Sequence, residues 1–151
     1  MRAASWNNCS AGFLKTMTNL FAYGGLMLPA NLELLTGRSY AHTHAQLRGF
    51  ARLRVGRRCR PGIKRKRNAQ TQGVLYFSMT DEHLERVAQY LREDFEPVTV
   101  RLVTAGSQIT TAVTHLPRNY EARQWSYEPW NFERLCRVYS QSDPTAFGFH
   151  S

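Results

Sequence analysis

The sequence predicts a small α+β domain, and three patterns of apolar residues support this prediction. Residues 43–55 alternate between apolar and polar side chains, as a half-buried strand does. Residues 84–91 place apolar side chains at the i, i+3, i+4 and i+7 spacing of one helix face. Two β-branched runs, residues 98–103 and 109–113, flank an Ala-Gly-Ser turn, which is typical of a β-hairpin.

Shorter signals place the first strand and the ends of both helices. The apolar run of residues 19–23 ends at two glycines, as a buried strand entering a tight loop does. Pro29 is suited to the first turn of a short helix, and Gly37 is suited to its end. Either Thr80 or Asp81 can cap the helix of residues 84–91.

The bulk composition favours one packed domain. The chain has 151 residues, 42% of them hydrophobic and 12% aromatic, which excludes wholesale disorder. No apolar run reaches the roughly 18 residues of a membrane span, and the N-terminus lacks a signal-peptide core, so we expect a cytoplasmic protein without a membrane partner. Three distant cysteines, Cys9, Cys59 and Cys136, predict neither a disulfide framework nor a zinc site.

The chain divides into three predicted segments. Residues 1–17 are small and polar and predict a flexible N-terminal tail. Residues 18–116 hold the strand and helix patterns and predict the domain itself. Residues 117–151 predict an aromatic-rich extension with a helix near residues 129–140. Its aromatic cluster, a candidate for packing, base stacking or protein contact, comprises Tyr120, Trp125, Tyr127 and Trp130.

Positive charge is concentrated in one segment. The chain has 20 basic and 11 acidic side chains, a formal net charge of +9, and no acid lies between Leu34 and Thr80. A local excess of this kind predicts a surface for an acidic partner. The basic residues of the segment are Arg48, Arg52, Arg54, Arg57, Arg58, Arg60, Lys64, Arg65, Lys66 and Arg67.

This segment has three interpretations. Strand alternation predicts that Arg48, Arg52 and Arg54 form one row on an outer face, which the following turn and basic run extend. Such a row is a solvated strand face, a nuclear-localisation-like run, or a binding face for nucleic acid or an acidic protein. Solvated faces normally mix both signs of charge, so we favour the binding face.

The histidines do not predict a metal site. His42 and His44 alternate on the predicted strand and would form a pair on one face. No third ligand stands at a useful spacing, so we expect surface or turn positions for both. We therefore expect neither a metal nor another cofactor.

An ordered set of motifs resembles the gamma-glutamylcyclotransferase-like (avirulence-induced-gene-like) family. FAYGGLM, residues 21–27, resembles the family's F-x-Y-G-[ST]-L loop. LRGF (47–50), PGI (61–63) and GVLY (73–76) are similar to its L-x-G-[YF], YPGI and V-x-G-x-L-Y elements. Residues 85–102, ERVAQYLREDFEPVTVRL, align without a gap to a segment of the type ERLDRYEGEEFERVTVRL. The resemblance implies a small, mostly antiparallel β-barrel with flanking helices.

The resemblance also implies an activity and a ligand pocket. Family members release 5-oxoproline when the substrate's own α-amino group attacks its γ-carbonyl, and a pocket carboxylate acts as general base. Backbone N–H groups of the loop hold the γ-glutamyl group, and glycine allows the close approach. The resemblance carries this ligand-binding role onto Tyr23, Gly24, Gly25 and Leu26, although Gly25 lacks the usual hydroxyl.

The catalytic glutamate is where this chain departs from the family. In the ungapped alignment its place is taken by Leu91, which cannot accept or return a proton. Loss of a general base typically removes a factor of roughly 10² to 10⁴ in rate. Glu93 would reach the pocket only with a local two-residue slip, which spoils the match at residues 95 and 98–100.

These observations favour a catalytically degenerate protein of this fold that binds an acidic macromolecule, nucleic acid or protein, through its basic face. The pocket beside Leu91 would then keep, at most, a small γ-glutamyl-like ligand. Two alternatives stay open. One is an active enzyme that uses Glu93 or another carboxylate as general base. The other is a protein–protein inhibitor or regulator that uses the aromatic extension.

Overall fold

A computed structural model describes residues 17–55, 60–91, 95–118 and 125–129. Within these ranges the chain forms six strands, two α-helices and one short 3-10 helix. In chain order they are β1 (Thr18–Ala22), the 3-10 helix (Gly25–Met27), α1 (Pro29–Thr36), β2 (His42–Val55), β3 (Arg60–Met79), α2 (Asp81–Leu91), β4 (Phe95–Thr104), β5 (Ile109–Pro117) and β6 (Trp125–Pro129).

The first five strands close into a barrel. Their hydrogen-bonded order is β3-β1-β5-β4-β2, and pairing of β2 with β3 completes the ring. All of these pairs are antiparallel except β1 with β5. The predicted α+β barrel with flanking helices is therefore confirmed, and closure leaves the five strands without a free edge inside the ring.

The barrel wall is buried on both faces where β1 and β3 meet. Phe21 and Leu75 belong to the cluster inside the barrel, whereas Leu20 and Tyr76 belong to a second cluster on the outer face of the wall. That outer cluster also holds Leu32 of α1 and Val87 of α2. The two helices thus cover the outside of this wall. Successive side chains of each strand point to opposite faces, so each strand contributes residues to both clusters.

Several local predictions are confirmed. The two β-branched runs form the β4–β5 hairpin, in which Val103 pairs with Ile109. Gly37 ends α1 in the left-handed region, with φ of 78°. Thr80 caps α2, because its hydroxyl oxygen accepts a hydrogen bond from the His83 amide at 3.2 Å.

The alternation predicted for β2 is wrong beyond Gly49. Gly49 has φ of +86°, a conformation that glycine adopts without strain, and the pairing with β3 shifts register there. Phe50 consequently joins Leu47 in the interior cluster, although strict alternation puts them on opposite faces. The change of face carries Arg52 inward, so the predicted row of Arg48, Arg52 and Arg54 does not form.

The turn predicted after the alternating strand, and the basic run that follows it, lie within a strand instead. Residues 60–79 form one long strand, β3, which includes Pro61, Gly62 and the basic run of residues 64–67. Arg48 pairs with Gln70, and Phe50 pairs with Arg65. Four residues of β3, 66–69, therefore stand opposite the single Gly49. Lys66 and Arg67 lie in this bulge, which is larger than the usual two-to-one β-bulge.

The extension beyond residue 116 contributes to the same sheet. β6 pairs antiparallel with β2 through Leu53 with Pro129 and Val55 with Trp125. The predicted helix near residues 129–140, the predicted tail of residues 1–16 and all three cysteines lie outside the described residues. In the part of the chain that the structure describes, no helix is long and apolar enough to cross a membrane.

Candidate functional site

The loop after β1 lies at the point where the barrel and the helices meet. Tyr23 points into the barrel cluster, and its phenol donates a hydrogen bond to the His115 carbonyl of β5 at 2.6 Å. Leu26 and Met27 belong instead to the cluster under the helices. The two glycines between them carry the chain from one layer to the other.

Arg52 of β2 holds the start of this loop. Its Nη1 donates to the Tyr23 carbonyl and to the Gln72 carbonyl, both at 2.9 Å, and lies 3.4 Å from the Met27 sulfur. Charge-assisted hydrogen bonds of this length are stronger than neutral ones. Burial lowers the pKa of the Arg52 guanidinium, and the nearby Tyr23 phenol acts in the opposite direction.

Two further side chains hold the rest of the loop. Asn31 of α1 donates from Nδ2 to the Gly25 carbonyl at 2.9 Å. Tyr76 of β3 donates its phenol proton to the Leu26 carbonyl at 2.7 Å. Burial raises the pKa of the Tyr76 phenol, which therefore stays a neutral donor. The loop is thus fixed from β2, α1 and β3 at once.

These anchors set the direction of the backbone amides. In a trans peptide the C=O group and the following N–H group point in opposite directions, and no cis peptide is present in the described residues. The carbonyls of Tyr23 and Gly25 face Arg52 and Asn31. The N–H groups that follow them therefore face away from these anchors. The ligand-binding role that the resemblance assigns to these amides stays a prediction.

The loop lies beside the end of α2, as the family resemblance predicts. A Cβ atom built on Gly25 would lie 3.9 Å from the Tyr90 hydroxyl. A Cβ atom built on Gly24 would lie 2.7 Å from Cγ of Pro61, a contact that Cβ atoms essentially never make. Glycine at position 24 is therefore required by the approach of β3.

Leu91, the last residue of α2, is an apolar packing residue. It is half-buried and packs against the cluster that contains Leu26 and Met27. Its side chain offers no proton acceptor to the loop. Glu93, the alternative base, lies outside the described residues. Among the described residues, no three His, Cys, Asp or Glu side chains gather as metal ligands.

The predicted macromolecule-binding residues separate into four groups. Arg48, Lys64, Arg65, Lys66 and Arg67 are exposed, Arg54 is half-buried, and Arg52 is bound to the loop. Arg57, Arg58 and the Arg60 side chain lie outside the described residues. We call residues 48–49 and 64–70, which hold the exposed cations, the basic arm.

Sequence reasoning missed Arg52, Asn31 and Tyr76 as loop anchors. An asparagine inside a short apolar helix is a signal that was available for Asn31, because asparagine is a poor helix former and is seldom buried. Its second amide atom, Oδ1, is buried and has no hydrogen-bond partner among the described residues. Tyr76 gives no such signal, since a tyrosine in an apolar strand is ordinary core.

A closed five-stranded barrel, two covering helices and an anchored Y-G-G-L loop define the cyclotransferase-like class of fold. Residues 20–132 match the family described as "Gamma-glutamyl cyclotransferase, AIG2-like", and the chain belongs to that family. The match runs past the predicted domain end at residue 116 and includes β6.

Named relatives agree with this assignment. The chain is 26% identical to AIG2-like protein A of Arabidopsis thaliana over 133 residues, which is 88% of this chain and 80% of that protein. It is 26% identical to AIG2-like protein C of the same plant over 121 residues, 77% of this chain and 70% of that protein.

Solved structures show the same fold. An Arabidopsis thaliana protein determined in solution superposes with a TM-score of 0.68 at 25% identity, covering 83% of this chain and 85% of that one. A structure titled "Gamma-glutamyl cyclotransferase" superposes with a TM-score of 0.62 at 20% identity, covering 69% of this chain and 68% of that one. At that identity the second likeness concerns the fold alone.

Proposed function

We propose that this chain is a cyclotransferase-fold protein that has lost turnover and acts by binding an acidic macromolecule through the basic arm. Leu91 is the observation that supports the first part. In the ungapped alignment it takes the place of the family's glutamate, and its side chain packs against core residues. An alkyl side chain there removes the proton acceptor that 5-oxoproline release requires.

The basic arm supports the second part. Its five exposed cations, Arg48, Lys64, Arg65, Lys66 and Arg67, lie on two paired strands whose sequence contains no acid. Opposite charges normally intersperse on a protein surface, so a segment with one sign of charge favours an oppositely charged partner. The Arg65 guanidinium lies 5.1 Å from the centre of the Phe50 ring, an arrangement that favours one orientation for this cation.

A small γ-glutamyl-like ligand in the residual pocket stays a prediction. The anchored loop and the buried, unpartnered Oδ1 of Asn31, taken among the described residues, favour such a ligand. A cytoplasmic location likewise stays a prediction.

Retention on immobilised heparin, a generic polyanion, tests the binding proposal. We define an arm variant, Lys66→Glu with Arg67→Glu, and a control variant, Arg38→Glu with Arg101→Glu, which changes net charge equally at exposed residues outside the arm. The wild type and the control variant are expected to elute at higher salt than the arm variant. Equal elution of both variants would contradict the proposal, because retention would then follow net charge alone.

A further inference from the structure

We infer that the acidic partner of the basic arm is a nucleic acid, contacted through its phosphate backbone and without reading of sequence. The inference rests on the proposed binding function and names the partner class. Three features of the arm carry it: the kind of exposed side chain, the apolar residues that are absent from its surface, and the number of cations.

The exposed side chains of the arm suit phosphate groups. Arginine and lysine are the main phosphate ligands in nucleic-acid complexes, and polar amides such as those of Asn68 and Gln70 add contacts to phosphate and sugar. Lys66, Arg67 and Asn68 are consecutive exposed residues of the large bulge opposite Gly49. Such contacts position a protein on a backbone and carry no sequence information.

The described side chains of the arm do not suit a protein partner. Protein interfaces depend on a few apolar or aromatic anchors that become fully buried, and charged residues are depleted at their centre. The large apolar side chains exposed in the described residues are Met17, Leu34 and Ile109, and none of them belongs to the arm. An acidic protein would find charge on the arm but no described anchor.

The number of cations sets the expected strength of binding. Each phosphate neutralised by a cation contributes about −0.9 to the log-log slope of affinity against salt for duplex DNA, so the five exposed cations described for the arm should contribute at most about −4.5. Binding of this non-specific kind has dissociation constants of about 10⁻⁴ to 10⁻⁶ M at physiological salt. The arm is thus expected to bind weakly and to depend strongly on salt.

Fluorescence anisotropy with the full chain and three labelled probes tests the inference. The probes are a 24-base-pair duplex DNA of mixed sequence, the single strand of the same length, and poly-glutamate of comparable charge. We expect binding to the duplex at micromolar to sub-millimolar concentration, with no change when the sequence is scrambled. The arm variant should bind more weakly and lower the salt slope by about two, whereas the control variant should not lower it.

Each outcome bears on a different claim. Tighter binding of poly-glutamate than of either DNA probe, weakened in the arm variant, overturns the inference and keeps the proposed binding of an acidic macromolecule. If the protein binds the single strand but not the duplex, the inferred backbone contact stands only when the arm variant also lowers the salt dependence of single-strand binding. An unchanged salt dependence would overturn the inference. Failure of all three probes, with no heparin retention, overturns both claims. Circular dichroism checks folding, which exposed substitutions are expected to leave intact.

Discussion

Two arginines of the same strand, four positions apart, have opposite environments. Arg48 is exposed and pairs across the sheet with Gln70 of the basic arm. Arg52 is half-buried, and its guanidinium donates to two backbone carbonyls beside the Y-G-G-L loop. Gly49 stands between them, and its positive φ reverses the face of β2. The loop region and the basic arm therefore share one strand, but their arginines differ in exposure and in hydrogen bonding.

The difference shows what a charged side chain contributes in each region. At the loop, the half-buried guanidinium of Arg52 donates to a backbone carbonyl of the protein itself, so it is poorly placed to contact a partner. On the arm, charge faces solvent, where it adds little to stability and much to attraction over distance. Substitutions at the loop should therefore change stability, and substitutions on the arm should change binding.

The largest expected effect is the pH dependence of the loop region. His115, whose carbonyl accepts the Tyr23 phenol, is only 5% exposed, and burial lowers its pKa to about 4 from 6.5. Between these values the unfolded chain binds the proton and the folded chain does not. Stability should thus be complete above pH 6.5 and should fall by about 3 kcal/mol as pH drops to 4.

Urea unfolding at several pH values measures this effect. Acidic side chains also titrate below pH 5, so the wild type must be compared with His115→Phe, which keeps an aromatic ring but has no titrating nitrogen. The slope between pH 6.5 and 5 should vanish in the variant, whatever its absolute stability. An unchanged slope would show that the His115 ring is not the group that resists protonation.

A smaller effect separates the two arginines directly. Arg52→Met removes charge-assisted bonds to the Tyr23 and Gln72 carbonyls, so it should lower the free energy of unfolding by about 1.5 to 3 kcal/mol. Arg48→Met makes the same chemical change at an exposed position and should cost less than about 0.5 kcal/mol. Denaturant melts of both variants give the two numbers. Equal costs would remove the distinction between the loop and the arm.

This pair also shows why a charge-reversal test of binding should not include Arg52. Reversal at Arg52 would place a carboxylate against two carbonyls and destabilise the domain. Lost binding in such a variant would then report unfolding. Reversal confined to Lys66 and Arg67 avoids this confusion.

Much of the fold follows from local patterns. The β4–β5 hairpin, the cap at Thr80 and the end of α1 at Gly37 each depend on a few adjacent residues, which is why the sequence predicts them. The motifs in order along the chain predicted the barrel. Gly25 and Leu26 of the loop lie near residues 90 and 91 of α2, whereas Tyr23 lies in the barrel cluster.

The rest depends on register between distant strands. The face of Arg52 is set by how Gly49 meets residues 66–69 of β3, and alternation within β2 alone does not contain that information. The same pairing places residues 60–67, which include the predicted basic run, in a strand. Asn31 and Tyr76 reach the loop carbonyls only after α1 and β3 are packed around it.

Release of 5-oxoproline is the measurement that tests the central claim most directly. The purified wild-type chain should release none above the uncatalysed background from γ-glutamyl amino acids, glutathione or γ-glutamyl-lysine-like amines, because Leu91 supplies no general base. A known cyclotransferase assayed in parallel controls for the substrates. Robust turnover by the wild type would contradict the account, and its loss in Glu93→Gln would identify Glu93 as the base.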